Sequence, residues 1–248
     1  MKNDLPLGKN RTGIELSPID KRAMLEDTEL TVPSTEADGS MLAAARAEYF
    51  TGRDVIGSVP PPASLKGMAT TGLEAMRGVN AAVFIDKLAE RLAFERTGAR
   101  LYETVIEKCA AEGSYPDGPS VADLQDIHAE EVRHFELLRE VIASLGADPT
   151  AMTPSADIAA VQSIGLVKVV TDGRTSLRQS LEAMLTAELV DNDGWTLLIE
   201  LTRAAGRDEL VPQFEEARAR EAEHLAKVRQ WVQSGTMALE KPAARVTA

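Results

Sequence analysis

Two glutamate–histidine pairs recur at the same spacing in this sequence. Glu131 precedes His134 by three residues, and Glu221 precedes His224 by three residues. The chain has only three histidines, so two of the three belong to this pattern. Residues three apart share one face of a helix, with Cβ atoms about 5–6 Å apart. Carboxylate oxygen and imidazole nitrogen suit iron or manganese, and also zinc, so the spacing indicates a metal-binding face on each of two helices.

Two further glutamates extend the pattern into an internal repeat. Glu95 precedes Tyr102 by seven residues, just as Glu188 precedes Trp195 by seven residues. Each half of the repeat therefore supplies one glutamate from a first helix and a Glu-x-x-His pair from a second helix. All six residues interrupt apolar stripes of helical spacing, which places them on the buried faces of their helices.

These residues require four long helices to position them. The apolar patterns begin near Val79, at Ser120, at about Ser176, and at Asp208 or Pro212. Short links join the first helix to the second and the third to the fourth, so each pair is expected to be antiparallel. About thirty residues separate the second helix from the third, which suffices for a long crossover containing a short helix. The prediction is an all-α, four-helix bundle with one long crossover.

The helix ends are also predicted from local signals. Ser120 with Asp123 three residues later is typical of a capping box at the start of the second helix. Gly146 is expected to end that helix, and Gly235 is expected to end the fourth near Gln233.

The chain divides into three predicted parts by composition. Residues 1–78 are rich in Pro, Gly, Ser and Thr and are expected to form an N-terminal arm, mostly irregular, with short helices at Ser40–Phe50 and Ala69–Arg77. Residues 79–235 are expected to form the bundle, and residues 236–248 a C-terminal tail.

Composition narrows the class of function. The formal net charge is −12, which disfavours nucleic acid as a partner. A single cysteine, Cys109, excludes an internal disulfide and a four-cysteine metal centre. The sequence shows neither a signal peptide nor a membrane span, so the expected location is the cytoplasm and no membrane partner is expected.

Convergence of the six polar residues predicts a dinuclear metal site. Four carboxylates buried together must be protonated, paired with cations or bound to metal, because an isolated buried charge is very costly. Two divalent cations would balance the four glutamates. We expect iron as the metal, with manganese or zinc as alternatives.

At these residues the sequence resembles the ferritin-like superfamily of di-iron and di-manganese carboxylate bundles. The resemblance covers about residues 79–235 and does not cover the N-terminal arm. It implies that Glu131 and Glu221 bridge the two metals and that Glu95 and Glu188 are terminal ligands. It implies further that His134 and His224 each cap one metal.

Four neighbouring residues are candidates for supporting the ligands. Asp191 lies one turn after Glu188 and is expected to accept a hydrogen bond from a ligand histidine or simply to be solvated. Tyr102 and Trp195 are core aromatics or redox participants. The segment "EEVRH" resembles a motif of di-iron oxygenases, which makes Glu130 a further candidate.

The resemblance implies redox chemistry with dioxygen or hydrogen peroxide, as in a di-iron oxidase or peroxidase, and leaves the substrate and a homodimeric state open. The cysteine count excludes a rubrerythrin with an iron–thiolate domain. The alternative is a non-catalytic bundle, bound to zinc or metal-free, that acts as an interaction or structural protein. Fold alone does not choose among these functions.

Overall fold

The regular structure of this chain is helical throughout the residues that the computed structural model describes, which are 17–31, 39–50, 56–59 and 81–240. Its α-helices are α1 (Pro18–Thr31), α2 (Ser40–Phe50), α3 (Ala81–Glu112), α4 (Val121–Ser144), α5 (Pro154–Thr171), α6 (Leu177–Ala204) and α7 (Val211–Glu240). A short 3₁₀ turn, Asp208–Leu210, precedes α7. The predicted all-α class is confirmed for these residues. None of these helices is long and apolar enough to cross a membrane.

The helices belong to two compact units. Helices α1 and α2 lie in the unit Lys2–Asp54, and the other five lie in the unit Val55–Ala248. Helix α2 has the predicted bounds. Helix α1 was not predicted, although Ser17 followed by Pro18 is a start signal in which proline takes the first helical position. The predicted helix at Ala69–Arg77 and the predicted boundary at residue 78 lie outside the described residues.

The starts of α4 and α6 are set by capping boxes. The Ser120 hydroxyl accepts from the backbone N–H of Asp123, whose side chain accepts in turn from the N–H of Ser120. Ser176 and Gln179 make the same reciprocal pair at α6. Each box satisfies two backbone donors that have no partner within the helix. Beyond the end of α4, Gly146 has φ of 82°, so the predicted cap and stop of this helix are confirmed.

The end of α7 differs from the prediction. The helix continues through Gly235 to Glu240 rather than ending near Gln233. A Cβ on Gly235 would lie 3.0 Å from the ring of Tyr115, whose hydroxyl donates to the carbonyl of Trp231 at 2.7 Å. Glycine is therefore explained here by close packing against an aromatic ring and not by a helix stop.

Each of the four long helices contacts two of the others, so the contacts form a closed ring. Helix α3 packs on α4 and α6, and α7 packs on α6 and α4. Helix α5, the predicted crossover helix, packs on α3 and α6. The Lys108 side chain of α3 anchors the α5–α6 link, because its ammonium group donates to the carbonyls of Asp172 and Thr175 at 3.0 and 2.6 Å.

Two apolar clusters make up the core of this unit, and every long helix contributes to both. One includes Leu101, Leu124, Leu181 and Val228, and the other includes Leu88, Leu138, Leu198 and Phe214. The first cluster contains residues from the later part of α3 and the earlier part of α4, and from the earlier part of α6 and the later part of α7. The second cluster contains residues from the other part of each of these helices. The two helices of each pair are therefore antiparallel, as predicted. On every long helix, the predicted polar residues lie between the two apolar segments.

Candidate metal centre

All six predicted ligands meet in the interior, together with Asp191. We call these seven residues the polar cluster, and each is at most 6% exposed: Glu95, Glu131, His134, Glu188, Asp191, Glu221 and His224. They come from α3, α4, α6 and α7. The two flanking apolar clusters separate them from water along the helix axes, so their charges interact in a low-dielectric interior.

Glu221 lies between the two histidines. Its Oε1 is 2.5 Å from His134 Nδ1, and its Oε2 is 3.2 Å from His224 Nδ1. Glu131 approaches the second of these histidines, with Oε1 3.4 Å from His224 Nδ1. The two Glu-x-x-His pairs therefore face each other across α4 and α7, with one oxygen of Glu221 directed toward each ring.

His224 is oriented by a carboxylate on its outer side. Its Nε2 lies 2.6 Å from Glu130 Oε2, so Nδ1 is the nitrogen that faces the polar cluster. Glu130 is itself paired with Arg133 at 3.3 Å and is partly exposed. Glu130, a predicted supporting residue, thus contacts the outer nitrogen of a candidate ligand histidine. In metal sites, such a contact fixes the tautomer and the orientation of the ring.

A buried arginine, Arg91, accompanies the cluster and was not singled out from the sequence. Its Nε donates to Glu95 Oε1 at 3.2 Å, and its Nη2 lies 2.8 Å from Asp191 Oδ1. Asp191 therefore pairs with an arginine, which differs from its expected hydrogen bond to a histidine or its solvation. Arg91 lies four residues before Glu95 on the same helix face, which is the signal that could have identified it.

The two aromatic candidates also contact the cluster. The Tyr102 hydroxyl donates to Glu188 Oε1. The Trp195 ring lies edge-on to His134, with centroids 5.7 Å apart, and packs on Phe214 at 5.6 Å. Tyr102 therefore holds a candidate ligand, whereas Trp195 forms an apolar wall beside one.

Asn192 is a second residue that the sequence patterns did not identify. Its side-chain amide donates to the backbone carbonyls of Glu188 and Glu221 at 2.9 and 3.0 Å. The amide thus ties α6 to α7 at the level of two candidate ligands. Its role depends on two carbonyls that are far apart in sequence, and no local spacing signals such a contact.

Gly98 makes room for a candidate ligand. A Cβ at this position would overlap Glu131 Oε2. The sequence repeat aligns Gly98 with Asp191, and the interior space opposite Asp191 is filled by the Glu131 carboxylate approaching from α4. The absence of a side chain on Gly98 is therefore a requirement of the cluster's geometry.

Several buried oxygens in the cluster lack a hydrogen-bond partner among the described residues. Among them are Oε2 of Glu95, Oε2 of Glu131 and Oε2 of Glu188. A buried acceptor without a partner costs about 1–3 kcal/mol, and a charged one costs more. Unsatisfied carboxylate oxygens that converge in an apolar interior are suited to a cation.

Three overlapping groups of these side chains have donor atoms close enough to hold a metal ion. Within each group the donor atoms lie within 4.8 Å of one another. One group is Glu131, Glu188, Glu221 and His224; the second is Glu95, His134 and Glu221; the third is Glu95, Glu131, Asp191 and Glu221. Glu221 belongs to all three. The buried cluster could therefore hold a metal ion.

Burial shifts the protonation of the carboxylates upward. It raises the pKa of Glu131 to about 8, and the charge of Glu221 adds to this effect. Burial also raises the pKa of Asp191 to about 7, against the opposing charge of Arg91. It raises the pKa of Glu95 and of Glu188 well above the ordinary range, with neighbouring carboxylates adding to it in both cases. Without a cation, these groups therefore keep their protons to higher pH than exposed carboxyl groups do.

Glu221 and His224 instead favour their charged forms, because each forms hydrogen bonds with neighbours of opposite charge. Burial would raise the pKa of Glu221, but hydrogen bonds from His134 and His224 outweigh it and lower the value to about 2. Burial would lower the pKa of His224, but its hydrogen bonds to Glu131 and Glu221 raise the value to about 11. The histidine therefore carries a positive charge where a metal would otherwise provide one.

The donor set and its charge fit two divalent cations. Five ionised carboxylates carry five negative charges, and Arg91 offsets one of them. Four charges remain, which two divalent ions would balance. The additional aspartate is thus accompanied by an arginine, so the net charge of the ionised cluster equals that of the four predicted glutamates.

Comparisons of the chain with family models, with curated proteins and with solved structures found no match.

Proposed function

We propose that this protein is a ferritin-like four-helix bundle, with α5 in its long crossover, that binds two divalent metal ions in the polar cluster. Iron is the favoured metal and manganese the alternative. The observation that carries the proposal is the position of Glu221, which directs one carboxylate oxygen toward each histidine. A carboxylate placed in this way suits a bridge between two ions.

Each proposed ligand has support from its surroundings. Glu131 belongs to the group of Glu188, Glu221 and His224, and it also belongs to the group of oxygen donors alone. Glu95 and His134 fall in one group, and Glu188 and His224 in another, as terminal ligands of separate ions would. The proposal therefore gives each ion one histidine and one terminal glutamate. Glu221 would be shared by both ions, and Glu131 would be the second shared carboxylate that the resemblance implies.

The proposed activity is oxidoreduction with dioxygen or hydrogen peroxide. A pair of iron or manganese ions bound here would supply electrons to such an oxidant. The protein's own contribution is to hold the ligands and to exclude water. Glu130 fixes the His224 ring so that Nδ1 faces inward, and the Tyr102 hydroxyl holds one oxygen of Glu188. Trp195 and Phe214 close the His134 side with apolar surface.

The binding part of the proposal is tested by anaerobic titration with ferrous ion. We expect saturation near two ions per chain. The double variant Glu131→Gln, Glu221→Gln should lose this binding, because both bridging carboxylates are removed without changing side-chain volume. The matched control is Glu103→Gln, Glu223→Gln, which alters two exposed glutamates and should still bind two ions. Saturation at zero in the unaltered protein would remove the basis of the proposal.

The redox part is tested by stopped-flow absorbance after mixing ferrous-loaded protein with dioxygen or peroxide. We expect an absorbance change within seconds to minutes. Tyr102→Phe should keep the two-ion stoichiometry, so a slower trace in that variant would identify the hydroxyl as a participant. A flat trace with both oxidants, together with retention of zinc, would instead favour the non-catalytic, structural alternative.

A further inference from the structure

Arg91 is the one lysine or arginine among the buried residues in the described part of the chain, and it lies against the polar cluster. Its Nε contacts Glu95 Oε1 at 3.2 Å, and its Nη2 contacts Asp191 Oδ1 at 2.8 Å. Its side chain is 6% exposed, so water contributes little to its solvation. A buried guanidinium is retained only where carboxylates compensate its charge.

The carboxylates around Arg91 form a third candidate cation group, which overlaps the other two and adds Asp191. Glu95, Glu131, Asp191 and Glu221 place one oxygen each within 4.8 Å of one another. Glu95 Oε2 and Glu131 Oε2 are buried and have no hydrogen-bond partner among the described residues. Unlike the other two groups, this one offers oxygen donors alone, which suit hard cations such as Mn²⁺, Mg²⁺ and Ca²⁺.

The opposite helix is shaped to admit the guanidinium. A Cβ at Gly194 of α6 would overlap Arg91 Nη1. Gly194 lies three residues after Asp191, so one turn of α6 supplies both the paired carboxylate and the space for the arginine. Arg91, Asp191 and Gly194 therefore work as one unit, formed by two helices that meet only in the folded chain.

We infer that Arg91 serves as a fixed cation of the centre, and that its guanidinium takes the place of a third metal ion at the oxygen-only group. This inference rests on the proposed function, because it concerns how many ions the cluster accepts. With Arg91 present, the five carboxylates have four uncompensated charges and take two divalent ions. Without Arg91 the fifth charge is uncompensated, and the oxygen-only group becomes available to a third, hard ion. Arg91 is thus a positioning residue that limits the stoichiometry.

The test counts bound Mn²⁺ by equilibrium dialysis followed by elemental analysis. We expect two ions per chain for the unaltered protein and three for Arg91→Met. Arg91→Lys, which keeps the charge, should restore two. The double variant Arg91→Met, Asp191→Asn should also bind two, because it removes one charge of each sign. Arg139→Met, which removes an exposed arginine that pairs with Glu136, is the control and should bind two.

A competition experiment identifies the third ion. Excess Ca²⁺ should displace one Mn²⁺ from Arg91→Met and leave the two histidine-containing groups loaded, because calcium favours oxygen ligands. If Arg91→Met does not fold by circular dichroism, Arg91→Gln replaces it, since it removes the guanidinium charge and keeps a polar side chain. That variant should also bind three ions.

The outcomes separate the two proposals. If the unaltered protein and the variant that removes the guanidinium both bind two ions with the same affinity, the role of Arg91 alone is overturned. Three ions in the double variant would also overturn it, because charge would then not set the number. Zero ions in the unaltered protein would overturn the proposed function and this inference with it.

Discussion

At the scale of single residues, the two histidines of the repeat have different outer partners. His224 Nε2 meets the carboxylate of Glu130, which precedes Glu131 in the first half. The matching position in the second half, before Glu221, is Arg220. The repeat therefore supplies no equivalent carboxylate for His134, whose ring packs against Trp195 instead. The two halves of the proposed centre should consequently differ in metal affinity.

We expect Glu130→Gln to weaken one of two bound ions by about 10–100-fold, because changing the partner that orients a ligand histidine has an effect of this size. The ion capped by His134 should be retained. Isothermal titration with Mn²⁺ should show a lower affinity for one of the two ions and an unchanged affinity for the other. Glu223→Gln is the matched control, since it changes an exposed glutamate that pairs with Arg220. Equal weakening of both ions would contradict this asymmetry.

At the scale of elements, glycines set the distance between helices at the cluster. Gly98 lets Glu131 of α4 approach α3, and Gly194 admits Arg91 toward α6. An interior glycine costs a helix up to about 1 kcal/mol relative to alanine. At these two positions that cost is offset by contacts that no larger residue permits.

We predict that Gly98→Ala lowers metal affinity by about 10–100-fold, because the new methyl group must displace the Glu131 carboxylate from its position as a ligand. Ion binding can be measured by titration with Mn²⁺. The control is Gly165→Ala on α5, where an added Cβ meets no atom of the described residues within 4 Å. That variant should bind metal normally, and its free energy of unfolding should be higher by about 0.5–1 kcal/mol. Unchanged affinity in Gly98→Ala would show that Glu131 is free to move.

The link between α5 and α6 depends on one lysine. Lys108 donates to two carbonyls of this link and also to Ser180 Oγ at 3.0 Å. Lys108→Met keeps the aliphatic stem and removes the donors. We expect the free energy of unfolding to fall by about 1–3 kcal/mol, because partly buried acceptors lose their partner.

Urea denaturation of the Lys108→Met variant, followed by circular dichroism, measures this change. Lys87→Met is the control, because Lys87 forms a partly exposed pair with Glu90 within α3. A surface pair contributes about 0–1 kcal/mol, so the control should differ little from the unaltered protein. Equal effects in both variants would mean that the link is not held by Lys108.

At the scale of the whole molecule, the ionised carboxylates of the polar cluster repel one another and oppose folding unless a cation binds. The metal-free protein compensates by protonation, with Glu131 titrating at about 8 and Asp191 at about 7. His224 at about 11 acts in the same direction, because the folded state again binds a proton more tightly than the unfolded chain. Between pH 5 and 8 the folded state therefore holds more protons than the unfolded state.

We expect the metal-free protein to lose stability as pH rises from 5 to 8, by an amount on the order of a few kcal/mol. Within the polar cluster, Glu221 acts in the opposite sense, and its contribution falls below this window because its pKa is lowered to about 2. Mn²⁺ should reduce or reverse the trend, because metal binding requires deprotonated ligands and stabilises the folded state in proportion to occupancy. Urea unfolding at several pH values, with and without Mn²⁺, provides the measurement. The same pH dependence in both series would argue against convergence of the carboxylates on a metal.

The sequence by itself determined those features that depend on local periodicity. The long helices, the capping box at Ser120, and the inward faces of the six proposed ligands all follow from residue spacing. Helical periodicity is local, so a stripe interrupted by Glu-x-x-His can be read without knowing what lies opposite. Helix α1 also has a local start signal, Ser17 followed by Pro18. It was not predicted because it lies in a segment that was expected to be mostly irregular.

Only the tertiary structure decided what each buried group faces. Arg91 and Asp191 lie 100 residues apart in the sequence and form an ion pair, and Glu130 reaches a histidine on another helix. Gly235 has the sequence signal of a helix stop, but in the folded chain it makes room for the ring of Tyr115. These pairings depend on the packing of helices that the chain brings together over long separations. The physical reason is that burial fixes how strongly charges interact, and burial is a property of the assembled helices and not of any one of them.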